Sequence, residues 1–444
     1  MPLSNFTQWR IISPMNQLPT FRRPLVSELI DLLTEEGPMR LVAVTGPRQT
    51  GKTILVRQAF EELEREGTSC WYIAVDDPSS DASSLGHLVD SGVLIPGRPR
   101  GAEWLVATWE RARAVAERSP RGMVMALDEI QGIPQWSNVV KGLWDRDRRT
   151  GCPLRVVIMG SAPWAMLTGM HESLAGRFDS FPVTHWSLGE MQRAFGVTLD
   201  EYLFFGGYPG AASHMRDITR WREYIRHTIV APAVGRDILS LTRVDKPSLM
   251  RALMDLAPEY SGQVISYIKL QGHLKDAGNT TTLARYLDLL SDAGLVAGLQ
   301  KHSAKLHLAR RSSPKLNVLN TAIMTATYPH SLARGRDDGA FWGRLCESAV
   351  GAHLHNTIGT DGTMRLRYWR DGTDEVDFVL ASGRDLVAIE VKSGRRRKRA
   401  AGLPAFKASF PGAKGFVVGT DGILFNEFLS ETAGFWFENA HHDS

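Results

Sequence analysis

The chain reads as an α/β protein in three parts: a parallel-sheet unit, a helical, winged-helix-like middle, and a second α/β unit at the C-terminus. Three observations predict this. From Arg40 to about Thr184, short apolar runs alternate with helical patterns more than ten residues long, as buried parallel strands with crossover helices do. A Gly-rich run, Gly46 to Thr53, sits at a strand-to-helix turn. The final hundred residues return to a helix followed by strands of period-two alternation. The length, 444 residues, corresponds to about three domains.

Composition excludes several classes. Hydrophobic residues make up 43% and charged residues 23%, too apolar for a disordered chain. No apolar run approaches the roughly 18 residues of a membrane span, and no charged-then-apolar leader opens the chain. Cys70, Cys152 and Cys346 have neither zinc spacing nor a disulfide framework. A reducing, cytoplasmic setting is the expectation. The net charge, 52 − 48 = +4, decides nothing as a total; its distribution matters more.

In chain order, residues 1–35 read as an irregular segment and a helix over Pro24–Leu33. Residues 36–186 form the first α/β domain, with strands at Leu41–Val44, Cys70–Val75, Met123–Leu127 and Arg155–Met159. Residues 187–244 are a helical lid or linker, broken at Gly206-Gly207-Tyr208-Pro209. Residues 245–310 read as the winged-helix-like unit, 311–340 as a linker, and 341–444 as the second α/β domain.

Gly46-Pro47-Arg48-Gln49-Thr50-Gly51-Lys52-Thr53 fits G-x-x-x-x-G-K-[ST] without a mismatch. Its glycines let backbone N–H groups turn inward as an anion cradle. The helix that follows aims its positive end at phosphates. Lys52 is expected on the β- and γ-phosphates of ATP, and the Thr53 hydroxyl on Mg²⁺. A carboxylate on a neighbouring strand must help hold that ion. Met123–Glu129 supplies Asp128 for the metal and Glu129 to activate water. Ser161 follows the next strand and serves either the γ-phosphate and water or only the local turn. Arg177, in Leu174-Ala175-Gly176-Arg177-Phe178, is either a finger on a neighbouring subunit's nucleotide or a solvated arginine.

With these residues stated, the stretch from about 20 to 240 resembles the bacterial and archaeal AAA-type ATPases that carry a large C-terminal extension. The resemblance is carried by GPRQTGKT, LDEIQ (Leu127–Gln131), MGSAP (Met159–Pro163), SLAGRF (Ser173–Phe178), FGGYP (Phe205–Pro209) and Arg236-Asp237-Ile238. It implies ATP hydrolysis and self-association into a homo-oligomer. Ala162 stands where members typically have a second serine.

In the middle unit, Ser261–Leu270 reads as one helical stretch, and Asn279 N-caps another with Leu283, Tyr286, Leu287 and Leu290 on one face. Gly294 would end it. The exposed first turn, Thr280 to Thr282, with Arg285 and Lys275, is a candidate DNA-reading surface. A structural lid is the favoured role, because few residues there are basic.

Toward the C-terminus, alternation puts Val387, Ile389 and Val391 on one strand face and Glu390 and Lys392 on the other. Val376, Phe378 and Leu380 likewise oppose Asp377, and the helical run at Leu345–Val350 offers Glu347. Clustered carboxylates with a lysine suit metal-assisted phosphodiester hydrolysis, with Asp377 and Glu390 as metal ligands. The D-x12-E-x-K pattern resembles the PD-(D/E)xK nuclease superfamily over about 341–420, without the proline of its name. Arg395, Arg396, Arg397, Lys398 and Arg399 follow at once, and DNA contact is the favoured reading of this run over a solvated loop.

The leading functional expectation is a Mg²⁺-dependent ATPase coupled to a nuclease-like domain acting on or binding DNA, in genome maintenance or defence. The alternative is a nucleotide-driven switch whose C-terminal module only binds DNA or a protein partner. A pure scaffold is disfavoured by the intact Asp128-Glu129 pair.

Overall fold

Leu41–Thr45 (β1) is buried at every residue, so both of its faces must meet helices. It lies in a five-stranded sheet with β2 (Ser69–Ala74), β3 (Met123–Asp128), β4 (Leu154–Met159) and β5 (Phe178–Pro182). The order is β2-β3-β4-β1-β5, and every neighbouring pair is parallel. This computed structural model describes residues 18–35, 41–76, 100–160, 174–240, 244–274, 279–303, 312–359, 362–394 and 402–439. Ser161, Lys275 and the basic run Arg395–Arg399 lie outside them. Two compact units divide between Val183 and Thr184.

In the first unit the alternation sorts the core. Val42, Val44, Val124, Ala126, Val157 and Met159 face α1 (Leu25–Thr34) and α2 (Lys52–Arg65). Leu41, Ala43, Met125, Leu127, Val156 and Ile158 face α3 (Ala102–Ala116) and α4 (Trp136–Thr150). Parallel strands share an edge for their C-terminal ends, so the loops after β1 and β3 open on the same side.

The sheet order amends one expectation. The strand ending in Asp128 does not neighbour β1, because β4 lies between them. The link to the loop is made instead by the first turn of α2, as shown below.

The second unit begins with α5 (Leu188–Phe195) and α6 (Leu199–Phe205), each opened by a reciprocal capping box, Ser187 with Glu190 and Thr198 with Glu201. Gly206 then takes φ +71°, and a Cβ there would sit 2.0 Å from Asn320 Oδ1. The chain continues through α7 (Ile218–Glu223) into π-helical turns over Tyr224–Val230 and Ala233–Ile238.

Next come α8 (Pro247–Leu256), β6 (Gln263–Val264), α9 (Tyr267–His273) and α10 (Thr280–Asp292). β7 (Val296–Leu299) and β8 (Lys315–Val318) complete an antiparallel sheet ordered β6-β8-β7. Asn279 caps α10, accepting from the Thr282 N–H at 2.8 Å, and Leu283, Tyr286, Leu287 and Leu290 are buried. The expected helix at Ser261–Leu270 is shifted: β6 takes its start, and the helix begins after Ser266, whose hydroxyl caps it.

The expected linker, 311–340, is corrected. It holds β8, α11 (Thr321–Thr325) and α12 (Leu332–Asp337). All four residues of β8 are buried. Lys315 and Asn317 make this strand look polar, but Asn317 bonds buried backbone carbonyls and Lys315 meets half-buried carboxylates, which the sequence pattern does not reveal.

The last part packs α13 (Gly339–Thr357) and α14 (Gly402–Ser409) on opposite faces of a sheet ordered β12-β11-β10-β9. Its strands are β9 (Met364–Asp371), β10 (Asp374–Ser382), β11 (Asp385–Lys392) and β12 (Lys414–Gly419). β9–β10 and β10–β11 are antiparallel; β11–β12 is parallel. Phe378, Leu380, Val387 and Ile389 pack with α13, as alternation predicts. Val376 does not join them. It lies with Val379, Ala388, Leu403 and Phe406 under α14. The cause is a register shift against β9 between Val376 and Val379, which breaks the period of two at Asp377. The second face of the sheet is therefore packed, not wet, and Glu390 is 5% exposed.

Candidate nucleotide site and carboxylate cluster

The loop after β1 is held in a shape that side chains resist. Gly46 has φ +150°, and a Cβ there would meet the Val183 carbonyl oxygen at 2.1 Å. Gln49 and Gly51 also have positive φ, +63° and +87°. Thr50 Oγ1 closes the turn on the Pro47 carbonyl at 2.9 Å. Lys52 Nζ donates to the carbonyls of Gly46 and Pro47, both at 2.8 Å, which sets the ammonium over the loop. Arg23, just before α1, braces the loop through the Thr50 carbonyl at 3.3 Å.

The acids of β3 reach this loop through α2. Thr53 Oγ1 donates to Asp128 Oδ2 at 3.0 Å. Tyr72, on neighbouring β2, donates its hydroxyl to the same oxygen. Burial first, and then the Asp128 charge, push the Tyr72 hydroxyl far above its ordinary range, so it stays a proton donor. Asp128 Oδ1 accepts from the Glu129 backbone N–H at 3.0 Å. Glu129 itself takes a left-handed conformation, φ +56°, and its carboxylate accepts from the Gln131 side-chain amide. A hydroxyl and a carboxylate converging at 3.0 Å form a donor set that fits a hard divalent cation beside a phosphate cradle.

Arg177 is set apart from this edge. It precedes β5, whose Phe178 pairs with Leu41 at the start of β1. The loop follows the other end of β1, about 16 Å away for a five-residue strand. Within its own chain Arg177 Nε pairs with Asp145 Oδ1 on α4 at 2.9 Å.

In the second unit, the residues singled out from the sequence fall into two neighbouring groups. Antiparallel pairing of Phe378 with Ile389 sets Asp377 opposite Glu390. Glu390 pairs along its strand with Lys392. Burial first, opposed by Lys392, raises the Glu390 carboxyl above its ordinary range. Asp377 turns elsewhere. Its Oδ2 accepts from the Val391 N–H at 2.8 Å, and its Oδ1 lies 3.3 Å from Lys315 Nζ. That ammonium also contacts Glu347 at 2.5 Å and Glu375 at 3.7 Å. Burial would lower the Lys315 pKa, but Asp377 and Glu347 outweigh it and hold the amine charged. Glu347 is pushed up to about 7, by burial and then by Asp377, against the pull of Lys315. Among the described residues, no group of three or more His, Cys, Asp and Glu side chains is placed to hold a metal ion.

Lys315, Glu375, Tyr72 and Gln131 are contacts the sequence reading missed. Lys315 fell inside a supposed linker, and no local pattern marks a lysine whose partners lie 32 to 62 residues away. Glu375 had a readable signal, since it stands two residues before Asp377.

These features define an AAA-type P-loop ATPase. A family model described as "AAA domain" matches residues 39–192; models for two domains of unknown function match 197–332 and 342–424. The chain belongs to the same family as an uncharacterized protein of Mycobacterium tuberculosis. The two are 30% identical over 353 residues, 78% of this chain and 68% of the relative. A Mycobacterium bovis protein matches with the same figures. Among solved structures, a Walker-type ATPase of Pyrococcus abyssi aligns with TM-score 0.47 at 14% identity, over 69% of this chain and 97% of that one. DnaA of Aquifex aeolicus bound to AMPPCP aligns with TM-score 0.31 at 14% identity, over 60% and 86%.

Proposed function

We propose that the chain is a Mg²⁺-dependent ATP hydrolase that drives a conformational switch, with a C-terminal unit that binds DNA. The observation that carries the hydrolase reading is the 3.0 Å approach of Thr53 Oγ1 to Asp128 Oδ2, with Lys52 over the loop and Glu129 next in the chain. In it, Lys52 neutralises the phosphates, Thr53 and Asp128 hold Mg²⁺, and Glu129 accepts a proton from water. The ion, when bound, spreads the charge that builds on the transferred phosphate. Lys52→Ala is expected to abolish binding or turnover, and Glu129→Gln to keep binding and stop hydrolysis. Undiminished turnover in both variants ends this reading.

Arg177 acts in trans in this proposal. It sits at the sheet edge opposite its own loop, so it reaches nucleotide only on a neighbouring copy of the chain. Light scattering with and without ATP tests the assembly, and Arg177→Ala tests the residue.

DNA binding is supported by the run Arg395 to Arg399 directly after β11. Neutralising these five residues should weaken DNA binding and flatten its salt dependence. A second reading, metal-assisted cleavage, is favoured by one observation: the register sets Asp377 opposite Glu390, with Lys392 two residues on. Assays on supercoiled, linear and single-stranded DNA with Mg²⁺ or Mn²⁺ separate cutting from binding.

A further inference from the structure

A lysine with no exposed side-chain surface is rare, because an ammonium removed from water must regain its lost hydration from other charges. Lys315 is such a residue, and its partners come from far along the chain. β8 supplies the lysine, α13 supplies Glu347, and β10 supplies Glu375 and Asp377. The ammonium also donates to the Asp377 backbone carbonyl at 3.2 Å and lies 5.0 Å from the Phe378 ring centre. Three carboxylates, one carbonyl and a ring face surround this positive charge, which belongs to a side chain.

We infer that Lys315 is the C-terminal unit's own tethered cation, standing between Glu347, Glu375 and Asp377 and supplying Asp377 with the positive charge that a divalent ion would otherwise bring. The inference rests on the reading of this unit as one that binds rather than cuts. A divalent ion bound by Asp377 and Glu347 would lie within a few ångströms of the ammonium, in a buried setting where like charges repel strongly. Both Asp377 oxygens are engaged, one by the Val391 N–H and the other by the Lys315 ammonium, whose charge would face any incoming ion. Glu375 is shared in turn with Arg370 at 3.8 Å. The donor set therefore does not fit a divalent metal while Lys315 is in place.

The neighbouring contacts show what the tether does instead. Ser261 Oγ and Ser348 Oγ hydrogen-bond at 2.7 Å, and the Val318 N–H donates to Ser261 Oγ at 3.0 Å. Asn317 donates to the Ser348 carbonyl at 3.2 Å. Lys315 thus sits on a buried polar seam that fastens the β6-β8-β7 sheet to α13 and the C-terminal sheet.

The test is Mn²⁺ binding by the nucleotide-free full chain, read by electron paramagnetic resonance and thermal melting. Wild type and Asp377→Asn should bind Mn²⁺ equally, and Mn²⁺ or a chelator should shift the melting temperature of the two by the same amount. Lys315→Ala should gain one bound ion and a Mn²⁺-dependent rise in melting temperature, both lost again in Lys315→Ala/Asp377→Asn. Mn²⁺ bound by wild type and abolished in Asp377→Asn overturns the inference. So does a folded Lys315→Ala chain that gains no ion. If Lys315→Ala does not fold, the comparison of wild type with Asp377→Asn decides alone. A chain that ignores Mn²⁺ and also fails to bind DNA refutes the binding reading and leaves the tethered cation standing.

Discussion

Two strand-borne aspartates, Asp128 at the end of β3 and Asp377 within β10, meet the same electrostatic problem differently. At the end of β3, Asp128 meets neutral donors: the hydroxyls of Thr53 and Tyr72 and a backbone N–H. On β10, Asp377 meets an ammonium. Hydroxyls orient a carboxylate without cancelling its charge, so a cation can still join. A buried ammonium cancels the charge permanently. The difference teaches that an acid on a strand says little about metal until the charge of its partners is known.

The largest expected effect tests the open site. Glu129→Gln should lower ATP turnover by about 10²-fold or more while nucleotide stays bound, measured by phosphate release and fluorescent-nucleotide titration. The next tests the closed one. Lys315→Met strands Glu347 and Asp377 without their cation and should cost about 3–5 kcal/mol, read from denaturant unfolding of the full chain. A loss well under 1 kcal/mol would show that the cluster does not depend on that charge.

Tyr72→Phe sharpens the contrast at smaller scale. It removes one neutral donor from Asp128, so the Mg²⁺ concentration for half-maximal turnover should rise several-fold, in line with about 1 kcal/mol for one hydrogen bond. An unchanged Mg²⁺ dependence would remove Tyr72 from the site.

Asp292, the last residue of α10, is another acid raised by its surroundings. Burial and then Asp288 lift it to about 6 from an ordinary 3.8. The folded state thus holds a proton more tightly than the unfolded one, and stability falls as pH rises from about 4 to about 6. Asp292→Asn should match wild type near pH 4 and exceed it by about 3 kcal/mol above pH 7, measured by melting at both pH values. An advantage that does not grow with pH would refute the assignment.

The two units also differ in how much their sequence declares. Four of the five parallel strands were readable as apolar runs: β1, β3 and β4 are packed on both faces and so apolar nearly throughout, and edge strand β2 is rich in β-formers although only Ile73 is buried. The fifth, β5, was not, since Phe178–Pro182 carries an aspartate, a serine and a proline at the sheet edge. The nucleotide loop was legible residue by residue, because its chemistry is local and its spacing constrained. The cap at Asn279 was legible for the same reason.

What the sequence determined, then, is whatever depends on near neighbours: the loop, Asp128-Glu129 after five apolar residues, and the alternation of Val387 and Ile389 in β11. Tertiary structure alone decided where β4 inserts, that a register shift turns Val376 away from Phe378, and that Lys315 and not a wet face receives Asp377 and Glu347. The physical reason is range. Backbone preference and hydrophobic period act over a few residues, whereas the charge that settles a buried carboxylate comes from whichever distant strand packs against it.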